Sequence, residues 1–253
     1  CIRDRGNPGI IHGNRIEANQ TNGSATGQGA GIWLWYAIAD LADNLVVGNV
    51  GTEAVFLGQS QFEFESNQVV DNDTTVGVRL SHNTAASDHK LINNVVARSG
   101  TKSFDVYGGN VSPLTVTLLH NTLVGSGTGY GVHVDTAYMT LSMTNNIVAH
   151  HDWGITNTVP ASSSVVADHT LFWENAEDGI VGTNPVIGDP AFVDAEGGDY
   201  HLSIDSAARN AGTDAGVLID IDGDARPIGP APDIGADEAT WRQVFLPVVL
   251  RQD

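Results

Sequence analysis

The chain has 253 residues, with 30 acidic against 11 basic side chains, a formal net charge of −19; this length suits one large domain, or a domain with a small terminal module. Lys90 and Lys102 are the only lysines and Cys1 the only cysteine, which argues against a nucleic-acid partner and excludes an internal disulfide or a cysteine-based zinc site. Twenty-nine glycines, few charges and 41% hydrophobic residues describe a β-rich chain with a core, not a disordered tail.

Cys1-Ile2-Arg3-Asp4-Arg5 does not read as a signal peptide, and no run approaches the roughly 18 apolar residues of a membrane span. A repeat is already under way at Asn7-Pro8-Gly9-Ile10-Ile11. The expectation is that coils or a cap precede this start, since a solenoid needs capped ends. A lipid-modified mature terminus at Cys1 is the alternative.

Two periodic series then run down the chain. An asparagine followed two residues later by an apolar residue occurs at Asn14, Asn44, Asn67, Asn93, Asn121 and Asn145, with His169-Thr170-Leu171 as a degenerate seventh copy; the steps are 30, 23, 26, 28, 24 and 24 residues. A short alternating strand recurs out of phase, at Ile32-Trp33-Leu34, Val55-Phe56-Leu57, Val78-Arg79-Leu80, Phe104-Asp105-Val106, Val132-His133-Val134 and Ile155-Thr156-Asn157. Propeller blades need about 40 residues, and the period-two alternation with frequent Gly, Asn, Thr and Ser opposes helical repeats. These strands favour valine and isoleucine where leucine-rich repeats want leucine. The remaining architecture is an all-β, right-handed parallel β-helix of about seven coils. Its asparagines are expected to stack at a bend as an internal hydrogen-bonded ladder.

Register then assigns an outward face. The middle strand residues form one column, Trp33, Phe56, Arg79, Asp105, His133 and Thr156; a parallel column holds Trp35, Gly58, Ser81, Tyr107, Asp135 and Thr158. Arg79 is expected beside Asp105, and His133 beside Asp135. Exposed Trp33, Trp35, Phe56 and Tyr107 could stack on sugar rings while polar neighbours fix hydroxyls. A lyase at the same place would use Arg79 or His133 as base, and Asp105 with Asp135 to hold a cation. His150-His151-Asp152 is expected to be a turn, because neighbouring strand residues point opposite ways.

Beyond Asn184-Pro185 the repeats fade, and residues 186–253 carry 13 acidic and 4 basic residues, a net −9. Domains are therefore expected at 1–184 (coils) and 185–253 (an acidic, turn-rich module that covers or extends the coil end). Asp220, Asp222 and Asp224 suggest calcium, although glycine falls at the fourth position of the run and position twelve is Ala231, so this is no EF-hand. The bland alternative is a turn in which Arg226 pairs with a neighbouring Asp. The apolar tail Val244–Arg251, interrupted by Pro247, reads as a final strand or a sorting signal.

The ordered series Asp189-Pro190-Ala191-Phe192-Val193, Gly198-Asp199-Tyr200-His201-Leu202, Ser206-Ala207-Ala208-Arg209-Asn210-Ala211-Gly212, Asp220-Ile221-Asp222-Gly223-Asp224-Ala225-Arg226-Pro227 and Asp233-Ile234-Gly235-Ala236 resembles the C-terminal signature of bacterial choice-of-anchor Q domain proteins. The resemblance spans about residues 185–238, with departures at Ala207, Asn210 and Asp237. It implies a β-helix exported to the cell surface and implies no particular reaction. The chain has no Asp-Asp pair and no Gly-His-Gly, so the polygalacturonase pattern is missing, as is the Asp-Pro-His signature of alginate epimerases. Three functions follow as expectations: a secreted or surface protein contacting polysaccharide; a polysaccharide lyase or hydrolase using Arg79, Asp105, His133 and Asp135; or a purely structural adhesin or stalk segment.

Overall fold

A computed structural model describes residues 9–21, 29–82, 87–108 and 113–240. Cys1, Asn7, Pro8 and the tail from Val244 lie outside the described residues. Within them the chain is all-β, a parallel β-helix of three sheets with seven, eight and seven strands. Among the described residues no helix is long and apolar enough to cross a membrane.

Each coil visits the sheets in order. Sheet I stacks Gly9–His12, Ile38–Ala42, Gln61–Glu65, Ser87–Ile92, Leu114–Leu119, Met139–Thr144 and Ser164–Asp168. Sheet II stacks three-residue strands, from Arg15–Glu17 through Leu171–Trp173, and ends on Val186–Ile187. Sheet III stacks Gly29–Trp35, Val50–Gly58, Asp73–His82, Lys102–Gly108, Tyr130–Asp135, Trp153–Asn157 and Glu177–Gly179. Alternate residues of all three walls fill one interior, among them Leu41, Phe64, Val69, Leu80, Phe104, Leu118, Val132 and Phe172. Burying these side chains is the main favourable term of the fold.

The turn from sheet I to sheet II carries the expected ladder, through Asn14, Asn44, Asn67, Asn94, Asn121 and Asn146. Each of the first five directs its backbone N–H and Nδ2 to the Oδ1 of the next. Asn93 and Asn145 are not rungs. They precede the rungs, at φ 53° and 57°, in a left-handed column shared by Asp43, Ser66 and His120. A second ladder, Asn19–Asn49–Asn72–Ser99, crosses the turn from sheet II to sheet III. Asn94→Ala removes a bond to Phe64 O and the acceptor for Asn67. The expected cost is about 2–3 kcal/mol in urea denaturation, against less than about 1 kcal/mol for Asn14→Ala at the exposed ladder end.

The C-terminal module was expected to cover or extend the coil end. Val186–Ile187 does extend sheet II beyond its last coil strand. The chain then folds back along the flank of the solenoid. Leu202, Ala208, Ile234 and Ala239 pack on Ile147, Ala149 and Leu171, while Tyr200 and Ala236 cover Val70, Val95, Ala97 and Val124. Gly235, at φ 102°, makes the close approach; a Cβ there would lie 2.6 Å from Ile147 Cδ1. Polar seams flank this contact, with Asn93 Nδ2 donating to Ile219 O at 2.8 Å and Asn145 Nδ2 to Thr213 O at 2.7 Å.

Candidate functional site on the outer face of sheet III

Pairing reproduces the first column in full and the second as far as Asp135; Thr158 lies just past the end of its strand. Trp33, Phe56, Arg79, Asp105, His133 and Thr156 are successive register partners, as are Trp35, Gly58, Ser81, Tyr107 and Asp135. At about 4.8 Å per coil, the first column from Trp33 to His133 spans about 19 Å.

Its lower end is aromatic. Trp33, Trp35 and Phe56 lie near parallel, with interplanar angles of 4°, 20° and 24° and centroids 5.9–6.5 Å apart. Gly58 makes room for them, since a Cβ there would come within 2.4 Å of the Phe56 and Trp35 rings. Tyr36 stands edge-on to Trp35 at 5.3 Å. The two tryptophans are half-buried. Phe56, expected as a contact residue, is only 3% exposed and supports the other rings from beneath.

The upper end is a buried ionic network. Arg79 Nη1 meets Glu53 Oε1 at 3.2 Å, and its Nε meets Asp105 Oδ2 at 3.0 Å. Asp105 Oδ1 takes Lys102 Nζ at 3.0 Å and His133 Nδ1 at 2.8 Å. Burial works to raise the Asp105 pKa; the His133 hydrogen bond and the Lys102 and Arg79 charges outweigh it and hold the carboxyl below its ordinary value. Tyr107 lies under the Arg79 guanidinium at 5.6 Å, and Tyr130 under Lys102 at 5.9 Å and beside His133 at 4.9 Å. Two carboxylates and two cations balance, so the network is close to neutral.

This geometry alters several expected roles. Arg79, held by two carboxylates, is a structural cation rather than a proton acceptor. Asp105 has its oxygens committed to Arg79, Lys102 and His133, leaving no carboxylate for a cation. Asp135 does not join the cluster: it is exposed and accepts from Thr158 Oγ1 at 2.8 Å, and His133 turns to Asp105 instead. Glu53, Lys102 and Tyr130 were not anticipated. They share a third column with Val76, three residues before the middle position, where simple alternation points a side chain inward.

The other expected positions separate. Asp220 is fully buried, its Oδ1 accepting the N–H groups of Asp222 (3.0 Å) and Asp224 (2.8 Å), and its Oδ2 that of Glu238 (2.9 Å). It organises the turn, so Asp220, Asp222 and Asp224 do not converge on one point for calcium. Arg226 pairs with Glu238 rather than an Asp. His150 meets Glu174, the buried His151 meets Ser103, and Asp152 accepts from Gly129 N; these three side chains diverge. A groove of about 640 Å³ on sheet I is lined by Asp40, Glu63, Asp88 and Lys90 among others, and Phe62, which is buried, is the one aromatic side chain among its described lining residues. No family model matches the chain, and neither does any curated protein or solved structure.

Proposed function

We propose that sheet III binds a polysaccharide along the coil stack, on a protein exported to or displayed at the cell surface. The observation that carries this reading is the near-parallel Trp33–Trp35–Phe56 platform lying in register with the Arg79 and Lys102 network. Flat rings offer a large apolar area at little conformational cost, and fixed polar groups beside them can orient hydroxyls or carboxylates. The resemblance of residues 185–238 to the choice-of-anchor Q signature supports the surface location. Calorimetric titration with a panel of acidic and neutral polysaccharides tests it. Trp35→Ala is expected to weaken binding at least about 10-fold, the scale of a buried aromatic anchor. If no glycan binds, and Trp33→Ala and Trp35→Ala change nothing, the stalk reading replaces it.

One observation favours a second reading, a lyase or hydrolase. His133 Nδ1 lies 2.8 Å from Asp105 Oδ1 and 3.1 Å from Lys102 Nζ, and among the described residues no hydrogen bond forms at the other ring nitrogen, Nε2. An imidazole oriented by a carboxylate in this way can serve as general acid or base. Incubation with acidic polysaccharides, following unsaturated products in the ultraviolet and reducing ends separately, distinguishes the two. Turnover lost in His133→Gln supports catalysis; binding without turnover leaves the binding module.

A further inference from the structure

The C-terminal module brings together three groups that the sequence does not juxtapose. His201 Nε2 lies 2.8 Å from Asp222 Oδ2, and ligand atoms of His201, Asp222 and Asp237 all fall within 4.8 Å of one another. His201 Nδ1 is engaged by Asp199 Oδ1 on the opposite side of the ring. Two concavities meet here; the larger, about 330 Å³, is lined by Asp199, His201 and Asp237 together with Val193, Ile204 and Thr240.

Asp237 supplies an independent indication. It is only 7% exposed, and no cation pairs with it among the described residues. One oxygen, Oδ2, accepts from Leu202 N at 2.7 Å; Oδ1 has no recorded partner and is not among the occluded atoms, so it opens onto the cavity. A nearly buried carboxylate with one oxygen open to a cavity that His201 also lines is placed to ligate a divalent cation.

We propose that His201, Asp222 and Asp237 form a divalent-metal site for a borderline first-row ion, with Zn²⁺ the best fit, and that Asp199 orients the histidine. One imidazole nitrogen with two carboxylate oxygens suits such an ion better than calcium, which takes six to eight oxygens. The carboxylate–histidine–metal relay is the usual way the ring is held. The present Nε2–Asp222 separation need open only to about 3.3 Å for both atoms to ligate at about 2.0–2.1 Å in a tetrahedral site. Three protein ligands leave a fourth position for water. The ion would pin the antiparallel pair Phe192–Asp194 and Asp199–Leu202 to the Asp220–Asp224 turn.

The test uses the full chain stripped with chelator and titrated with Zn²⁺, Co²⁺ and Ca²⁺ in separate calorimetric runs near neutral pH. Expected are one tight Zn²⁺ equivalent with a raised melting temperature, and visible Co²⁺ absorption of four-coordinate intensity. Asp222→Asn, at a partly exposed side chain, should abolish that equivalent and its melting shift. Asp199→Asn should weaken it about 10-fold or more. Circular dichroism identifies any variant that fails to fold, in which case the wild-type Co²⁺ spectrum decides. Absence of the equivalent, its persistence in folded Asp222→Asn, an octahedral-type Co²⁺ spectrum, or Ca²⁺ binding as tightly as Zn²⁺ overturns the proposal.

Discussion

Arg226→Met is expected to destabilise the protein by about 3–5 kcal/mol, the cost of stranding one member of a buried ion pair. The Arg226 and Glu238 side chains are both fully inaccessible, 2.9 Å apart at Nη1–Oε1. Arg226 also donates to the carbonyls of Asp233 (2.9 Å), Gly235 (3.2 Å) and Ala236 (3.1 Å), while Glu238 accepts from the N–H groups of Ile228 (2.8 Å) and Asp233 (2.7 Å). One guanidinium and one carboxylate thus satisfy most of a loop that has little regular structure of its own. That loop carries Ile234 and Ala236 onto sheet II. Loss of Arg226 should therefore release the module first, with accelerated proteolysis after residue 190 and a changed environment for Trp173, which packs at the interface. The double replacement Arg226→Met with Glu238→Leu should recover part of the loss, because no charge is then left stranded. Urea denaturation followed by tryptophan fluorescence measures both. A single-variant cost below about 1 kcal/mol would mean that the pair does not hold the module.

The coils were legible because a buried parallel wall imposes its period on the sequence, and the register of Trp33, Phe56, Arg79, Asp105 and His133 followed from that period alone. The ladder was displaced by one residue at two of its rungs for a physical reason. Asparagine is favoured both for left-handed φ and for stacked side-chain amides, so Asn93-Asn94 and Asn145-Asn146 offer a candidate for each role in either order. The second ladder lies five residues after the first, at Asn19, Asn49, Asn72 and Ser99. Its spacing was visible, but the substitution at Ser99 and the loss of the pattern beyond it hid the series. The lateral docking of the C-terminal module also left a trace. Val95-Val96-Ala97 and Ile147-Val148-Ala149 are apolar at all three positions rather than alternating, as expected of strands covered on both faces. Glu53, Lys102 and Tyr130 were out of reach for another reason: the residues just after them, Ala54, Ser103 and Gly131, are buried, so the strand does not keep strict alternation there. A period-two count cannot place side chains across such an interruption.

Acid should weaken the fold through two histidines that the solenoid keeps neutral. His120 is fully buried under the C-terminal module and its Nε2 lies 2.9 Å from Asn145 Nδ2; burial, reinforced by the Arg226 charge, depresses it to about 3. His151, 2.9 Å from Ser103 Oγ, is depressed to about 4, again chiefly by burial. Unfolded histidine takes up its proton near pH 6.5. Between pH 6.5 and the depressed values the unfolded chain therefore binds more protons than the folded one, and stability falls as pH falls. Each group contributes a slope of about 1.4 kcal/mol per pH unit in that window. Asp237, raised to about 6, works in the opposite direction, because the folded state takes up its proton first. The net acid loss in the native chain is thus smaller than the histidines alone would give, and the variant comparison isolates them. From pH 6.5 to 4.5, His120→Gln should lose about 2 kcal/mol less stability than the native chain, whatever its stability at neutral pH. His151→Gln should flatten the same curve by about the same amount, since its window extends to about pH 4. In the native chain, protonation of His120 puts a second cation near Arg226, so the module should detach from sheet II before the coils melt. Urea midpoints across this range, with limited proteolysis at each pH, follow the two events separately; parallel pH curves for His120→Gln and the native chain would show that His120 does not govern the acid response.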